Sequence, residues 1–291
     1  MTDPAQGYEI ADDRRCELGE GPLWHPLREQ LYWVDILGKR LLTQENGQPR
    51  EWQFDEHVSA AGWIGRDALL IASETALFRF DLVTGAREDL VPLEADNPVT
   101  RSNDGRADPW GGFWIGTMGK AAEKAAGSIW RYYRGELRRI FPGISITNAI
   151  CFSPDAGFAC FTDTDSCQIR RVALDGQGWP VGDPVVHVDT RAGGLRPDGA
   201  VFDRQGNIWV AHWGAGCVAA YDPSGQPLTR IDLPVRQPSC PGFGGADMTT
   251  LYVTSAQKGM TEAARAEQPH SGKLFRIETE FRGQYEHQVI L

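Results

Sequence analysis

The feature that most limits how this chain can fold is a short apolar run that recurs six times. The runs are LYWVD from Leu31, LLIAS from Leu69, FWIGT from Phe113, FACFT from Phe158, IWVAH from Ile208 and LYVTS from Leu251. Their starts lie 38, 44, 45, 50 and 43 residues apart. A period of about 44 residues is typical of one four-stranded blade of a β-propeller. The repeat therefore predicts an all-β fold with six blades.

The other strands of each blade are indicated by segments that flank the runs. After each run comes a segment that alternates apolar with polar residues, as a half-buried antiparallel strand does: KRLLTQ, ALFRFD, SIWRYY, QIRRVALD, CVAAYD and KLFRIE. A segment before each run, from GPLWH in the first repeat to PGFGG in the last, supplies the first strand. The strand-like ends YEIADD and HQVIL predict that the two termini together complete one blade and close the ring.

We expect a single domain spanning residues 1–291. A β-sandwich or two smaller β domains form the alternative, because they also consist of short, evenly spaced strands. No Pro/Gly/Ser-rich linker or charge run divides the sequence, and the number of repeats favours the propeller. The longest candidate insertion, TEAARAEQPHSG at 261–272, is predicted to contain one helical turn that covers a pocket.

The charge balance bears on partners and location. With 29 Lys and Arg against 39 Asp and Glu, the net charge of −10 disfavours nucleic acid and anionic membranes as partners. The amino terminus lacks the apolar run of a signal peptide, and no stretch approaches the roughly 18 apolar residues of a membrane span. We therefore expect a soluble cytoplasmic protein whose six cysteines are reduced and mostly buried. The oligomeric state stays open.

Polar residues recur at one offset from the apolar runs. Ten residues before a run, or eleven before the first one, stand Glu20, Ser59, Asn103, Asn148, Asp198 and Pro241. The innermost strands of a propeller surround its channel, so equivalent positions converge on one ring. Carboxylates and amides in such a channel cost desolvation free energy unless something pairs with them. A bound cation would provide that pairing.

Three of these residues form a candidate metal site. Glu20, Asn148 and Asp198 offer only oxygen ligands and two formal negative charges, which suits a hard divalent ion. Calcium, magnesium and manganese fit this description, and zinc and iron stay open. The alternative is that Asn-Asp-Gly at 103–105 and Pro-Asp-Gly at 197–199 are ordinary turn sequences.

Arg101 and Asn103 are candidates for substrate binding. They lie two residues apart, so their side chains share one side of an extended strand. A guanidinium offers several donors to a carbonyl or to hydroxyl groups, although an Arg paired with a carboxylate at the rim is the alternative. The six histidines have no suitably spaced Ser or Cys partner, which disfavours a catalytic nucleophile with its base.

Five segments resemble those of the family that includes senescence marker protein (regucalcin), gluconolactonases and bacterial sugar lactonases. They are LGEGPLWH at 18–25, TRSNDGRADPWGGFWIGTM at 100–118, SITNAICFSPDAGFACFTDTD at 145–165, RPDGAVFDRQGNIWVAHWG at 196–214 and PSCPGFGGADMTTLYVTSA at 238–256. The resemblance implies a six-bladed propeller with one divalent metal ion held by Glu20, Asn148 and Asp198. It also implies substrate contacts from Arg101 and Asn103, with Asp198 as the base.

The function implied by the resemblance is hydrolysis of a carboxylic ester, namely a glucono-, galactono- or pentonolactone, to the aldonic acid. Some family members carry an acidic substrate contact where this chain has Ala121, and Glu123 is the nearest candidate to replace it. A non-catalytic propeller, either a calcium-binding regulator or a scaffold for protein partners, is one alternative function. Another metal-dependent esterase on the same fold is a further alternative.

Overall fold

The computed structural model describes residues 7–291 and contains six four-stranded antiparallel sheets. Residues 1–6 of the expected domain lie outside the described residues. The first strand, β1 (Glu9–Asp12), belongs to the sixth sheet. Blade 1 contains β2 (Gly19–His25), β3 (Gln30–Asp35), β4 (Arg40–Glu45) and β5 (Gln48–Gln53). Blade 2 contains β6 (Val58–Gly65), β7 (Ala68–Ser73), β8 (Ala76–Asp81) and β9 (Arg87–Pro92).

The remaining blades follow in chain order. Blade 3 contains β10 (Thr100–Ala107), β11 (Phe113–Gly119), β12 (Gly127–Tyr133) and β13 (Glu136–Ile144). Blade 4 contains β14 (Thr147–Phe152), β15 (Phe158–Asp163), β16 (Gln168–Leu174) and β17 (Pro180–Asp189). Blade 5 contains β18 (Arg196–Phe202), β19 (Ile208–Trp213), β20 (Cys217–Tyr221) and β21 (Pro227–Asp232). Blade 6 contains β22 (Pro238–Gly244), β23 (Thr250–Ser255), β24 (Leu274–Glu278) and β1.

The six sheets form a closed ring. The first strand of each blade contacts the first strand of the next, in the order β2, β6, β10, β14, β18, β22 and back to β2. The apolar runs all lie on the second strands, which neighbouring blades cover on both faces. Every residue of β7 and of β11 is buried, whereas most of β9 and β21 is exposed. The predicted six-bladed propeller is therefore confirmed.

The ring closes through the amino-terminal strand. β1 pairs antiparallel with β24, with Glu9 opposite Arg276, and so completes blade 6. The expectation that HQVIL is a strand was wrong, because residues 279–291 contain no strand. The predicted helical turn in the long loop is present as α1 (Glu262–Glu267). No helix among residues 7–291 is long and apolar enough to span a membrane, and all six cysteines are free thiols.

The carboxyl-terminal segment instead lies against the end of the channel where the first strands finish. The amide of Val289 donates to the carbonyl of Trp63 (2.8 Å), and the Trp63 indole donates to the carbonyl of Glu286 (2.8 Å). The Glu286 carboxylate forms a salt bridge with Arg106, and both side chains are largely buried. Arg106 Nη2 also donates to the carbonyl of Ala200 (3.2 Å) in blade 5. The segment thus connects several blades through one buried ion pair.

We expect Glu286→Ala to lower the free energy of unfolding by about 3 kcal/mol or more, because it leaves the buried Arg106 without its anionic partner. Equilibrium urea unfolding measures the change. Glu280→Ala is the matched control, since Glu280 is exposed and lies in the same segment. Equal unfolding midpoints for the two variants would contradict the role of the ion pair.

Candidate active site

Bulges near the starts of the first strands place the polar side chains. The antiparallel register slips just after Glu20 in β2 and just after Asn148 in β14. The following residues, Gly21 and Ala149, have φ angles of 54° and 55°, in the left-handed region. In β18 the slip begins at Pro197, so that Asp198 lies within the bulge. Because a bulge redirects side chains, these three polar residues turn towards one end of the channel.

A cavity of about 440 Å³ opens at this end of the channel. All five residues that the sequence singled out line it: Glu20, Arg101, Asn103, Asn148 and Asp198. They come from blades 1, 3, 4 and 5, and none is more than 6% exposed. The fold thus brings together residues that lie up to 178 positions apart in the sequence.

Hydrogen bonds determine which atom of the Asn148 amide is free to bind a metal ion. Thr164 Oγ1 donates to the carbonyl of Pro197 (2.8 Å), so it accepts from Asn148 Nδ2 (2.9 Å). On the other side, Asn103 Nδ2 donates to the carbonyl of Thr147 (2.8 Å) and to Asn148 Oδ1 (3.0 Å). The hydrogen bonds on both sides of the Asn148 amide therefore give it the same orientation. Asn148 Oδ1 keeps one lone pair, since Asn103 is its only donor among residues 7–291.

The two carboxylates have unused acceptor capacity. Among residues 7–291, Glu20 accepts one hydrogen bond, from the amide of Gly21 (3.1 Å), and Asp198 accepts none. Burial raises the pKa of both carboxyl groups well above the ordinary range; Asp198 and Asp104 raise that of Glu20 further, and Asp104 raises that of Asp198. Buried carboxylates of like charge are costly unless a cation lies between them. Two such groups and one oriented amide oxygen fit a hard divalent ion.

The candidate metal site needs the amide of Asn148 as its third ligand. Residues 7–291 contain no group of three or more His, Cys, Asp or Glu side chains arranged to hold a metal ion. Asp104 is a third buried carboxylate, whose charge raises the pKa of both Glu20 and Asp198. Burial raises the pKa of Asp104 itself to about 6. Its Oδ2 accepts a hydrogen bond from the amide of Ile150 (2.7 Å), which anchors it to the neighbouring blade. Asp104 therefore supports the backbone beneath the cavity and is not part of the cavity lining.

Arg101 and Asn103 retain donors and an acceptor for a substrate. Arg101 Nη1 donates to Asn103 Oδ1 (2.8 Å) and to the carbonyl of Ser102 (2.7 Å), whereas its Nε and Nη2 make no hydrogen bond within residues 7–291. Both hydrogens of the Asn103 amide are engaged, so only a lone pair on Oδ1 stays available. Burial lowers the pKa of Arg101 to about 10, which leaves it cationic near neutral pH.

Four residues that line the cavity were not predicted from the sequence: Thr164, Arg196, Trp213 and Lys258. They lie in loops after second strands or at strand ends, where no repeated offset from the apolar runs identifies them. Lys258 follows β23 and directly precedes Gly259, which also lines the cavity at the start of the loop that holds α1.

Glu123 does not replace the acidic contact that is absent at Ala121. The Glu123 carboxylate is exposed and accepts a hydrogen bond from the amide of Ala121 (3.1 Å), so it stabilises its own loop. The loop residue that lines the cavity is Ala122. This wall of the cavity is therefore apolar.

Known proteins resemble this chain over nearly its whole length. A model of the SMP-30/Gluconolactonase/LRE-like region matches residues 18–257. A Rhizobium meliloti (strain 1021) protein, provisionally named a sugar lactone lactonase, is 43% identical over 293 residues, covering 98% of each chain. The L-arabinolactonase of Azospirillum brasilense is 34% identical, over 96% of this chain and 94% of its own. A crystal structure described as a calcium-binding protein, regucalcin, from Agrobacterium tumefaciens has a TM-score of 0.95 and 38% identity, over 98% and 97% of the two chains.

Proposed function

Since this chain belongs to the SMP-30/gluconolactonase/LRE-like family, we propose that it hydrolyses a sugar-derived lactone to the aldonic acid in a metal-dependent reaction. One observation carries the proposal: two buried carboxylates and an oriented amide oxygen from three blades line one cavity. The names of the relatives support a lactone as the substrate class. Gluconolactone, galactonolactone and pentonolactones are the candidate substrates.

The proposed metal site consists of Glu20, Asn148 and Asp198. Calcium, magnesium and manganese suit three oxygen ligands best, while zinc and iron stay in the test. When bound, the divalent ion supplies a Lewis acid for the lactone carbonyl. The hydrogen bonds from Asn148 to Thr164 and from Asn103 to Asn148 fix which end of the amide would hold the ion, because rotating the amide would break both of them.

The side chains have separate roles in the proposed reaction. Water adds to the carbonyl carbon, the bond from that carbon to the ring oxygen breaks, and the ring oxygen takes up a proton. Besides holding the ion, the Asp198 carboxylate orients the attacking water, accepts its proton and passes it to the ring oxygen, since no group of residues 7–291 donates a hydrogen bond to it. Arg101 directs its Nε and Nη2 donors at the substrate oxygens, and Asn103 Oδ1 accepts from a substrate hydroxyl. These contacts align the lactone for attack.

Initial rates on a substrate panel test this function. The purified protein, loaded in turn with each candidate ion, is assayed with gluconolactone, galactonolactone, pentonolactones and an aryl ester, with spontaneous hydrolysis subtracted. We expect turnover of at least one lactone in preference to the aryl ester. A preference for the aryl ester would indicate a general esterase. Calcium binding without turnover of any ester would indicate a regulatory propeller, and either result would refute the lactonase.

A further inference from the structure

The cavity holds two cationic side chains that have no salt bridge within residues 7–291. These are Arg101 and Lys258, whereas Arg196, the third cation in the lining, is paired with Asp165 (2.6 Å). Lys258 is half-buried, and its burial and the nearby Arg101 lower its pKa, while Asp198 raises it. An ammonium without a salt bridge in a partly desolvated wall calls for an anion.

Lys258 lies across the cavity from Arg101. Arg101 belongs to β10 of blade 3, and Lys258 follows β23 of blade 6, which is the opposite blade of a six-membered ring. The backbone at Lys258 is held by Gln237, whose Nε2 donates to the Lys258 carbonyl (3.2 Å). Lys258 therefore lies on the wall opposite Arg101, within electrostatic reach of Asp198, and a substrate whose ester contacts Arg101 extends towards the Lys258 ammonium.

With the proposed ion bound, the cavity would carry a surplus of positive charge. The charges of Glu20 and Asp198 would be balanced by a divalent ion, and the buried Asp104 beneath the cavity offsets one of the two cations, Arg101 and Lys258. A neutral sugar lactone leaves the other without a counter-charge, even though the chain as a whole carries −10.

We propose that the preferred substrate is a lactone with a second, anionic substituent remote from the ester, and that Lys258 binds this group. The proposal rests on the proposed function. A lysine ammonium is a compact point charge with three donors, so it accepts a carboxylate, a sulfonate or a phosphate. The shared chemistry is a terminal oxyanion, and Lys258 is a specificity-determining residue.

The test compares kcat/KM for a neutral aldonolactone with that for its analogues bearing a terminal carboxylate, sulfonate or phosphate. We expect wild-type protein to prefer at least one anionic lactone by about tenfold or more, as one charge-assisted hydrogen bond provides. Lys258→Met should reduce kcat/KM for that lactone about 10- to 100-fold and leave the neutral one within about threefold. Lys258→Arg should keep part of the preference.

Lys124→Met is the matched control. Lys124 is exposed in the loop that contributes Ala122 to the cavity, but it does not line the cavity. Its removal should leave all rates unchanged. If Lys124→Met and Lys258→Met lowered kcat/KM for the anionic lactone equally, the effect would come from the overall charge of the protein. Direct contact with Lys258 would then be refuted.

The outcomes separate this inference from the lactonase function. Equal rates on neutral and anionic lactones, or an equal loss on both in Lys258→Met, would overturn the role of Lys258 while the lactonase stands. If no lactone is hydrolysed, the proposed function fails, and calorimetric binding of an aldarate dianion and an aldonate monoanion to the purified protein decides the inference. Tighter binding of the dianion that Lys258→Met removes supports it, and equal binding refutes it.

Discussion

Asp198→Asn is expected to lower kcat/KM for the lactone by about 10²-fold or more. The amide keeps the size of the side chain but removes one negative ligand charge and the proton acceptor. Steady-state rates at saturating metal concentration measure the effect. Because Asp198 is 6% exposed and accepts no hydrogen bond within residues 7–291, the neutral amide fits without breaking a contact.

The same variant should be at least as stable as wild type when metal-free. A carboxyl group whose pKa is raised on folding binds more protons in the folded state, so it destabilises the fold as pH rises above the unfolded pKa near 4. Asn removes that cost at pH 7, so urea unfolding should show no loss of stability. Asp183→Asn, which removes one exposed charge outside the cavity lining, is the control and should alter kcat/KM less than about threefold. Full activity in Asp198→Asn would contradict both proposed roles of Asp198.

Metal removal is expected to lower lactone turnover by about 10²-fold or more, with recovery when the divalent ion is restored. A ligand at about 100 times its Kd should also raise the free energy of unfolding by about 2.7 kcal/mol. The stabilisation arises because the ion offsets the repulsion between Glu20 and Asp198. Chelation, dialysis and readdition, followed by rate and urea measurements, test both effects.

Two variants locate the ion in this experiment. Glu20→Gln should lose most of the metal-dependent stabilisation, whereas Glu17→Gln should retain it. Glu17 lies three residues earlier and pairs with Arg265 (2.8 Å), outside the cavity lining. Unchanged rates after complete chelation would refute metal dependence, and equal behaviour of the two variants would place the ion elsewhere.

The polar ring could be predicted from the sequence because the repeat defines equivalent positions. Glu20 and Asn148 stand at offsets of eleven and ten from their runs, yet both directly precede a residue with left-handed φ at the same bulge. The one-residue difference in offset does not displace these side chains, because each bulge lies near the start of its strand. Asp198 lies inside its bulge, which only the strand register shows.

The rest of the site depends on contacts that the repeat does not encode. Thr164 lies in the turn after β15 and orients Asn148 from 16 residues away. Lys258 reaches the cavity from the loop after β23, whose length has no counterpart in the other blades. HQVIL is strand-like in composition, but β1 already occupies the free edge of β24, so the tail packs under blades 2 and 3.

Anomalous X-ray scattering from a crystal soaked with Mn²⁺ shows whether Glu20, Asn148 and Asp198 hold one ion. One anomalous peak is expected within roughly 2.0–2.6 Å of oxygens from Glu20, Asn148 and Asp198, with the Asn148 amide oxygen facing the ion. A peak outside this cavity, or an Asn148 amide with its nitrogen directed at the ion, would contradict the shared metal site on which the proposed chemistry depends.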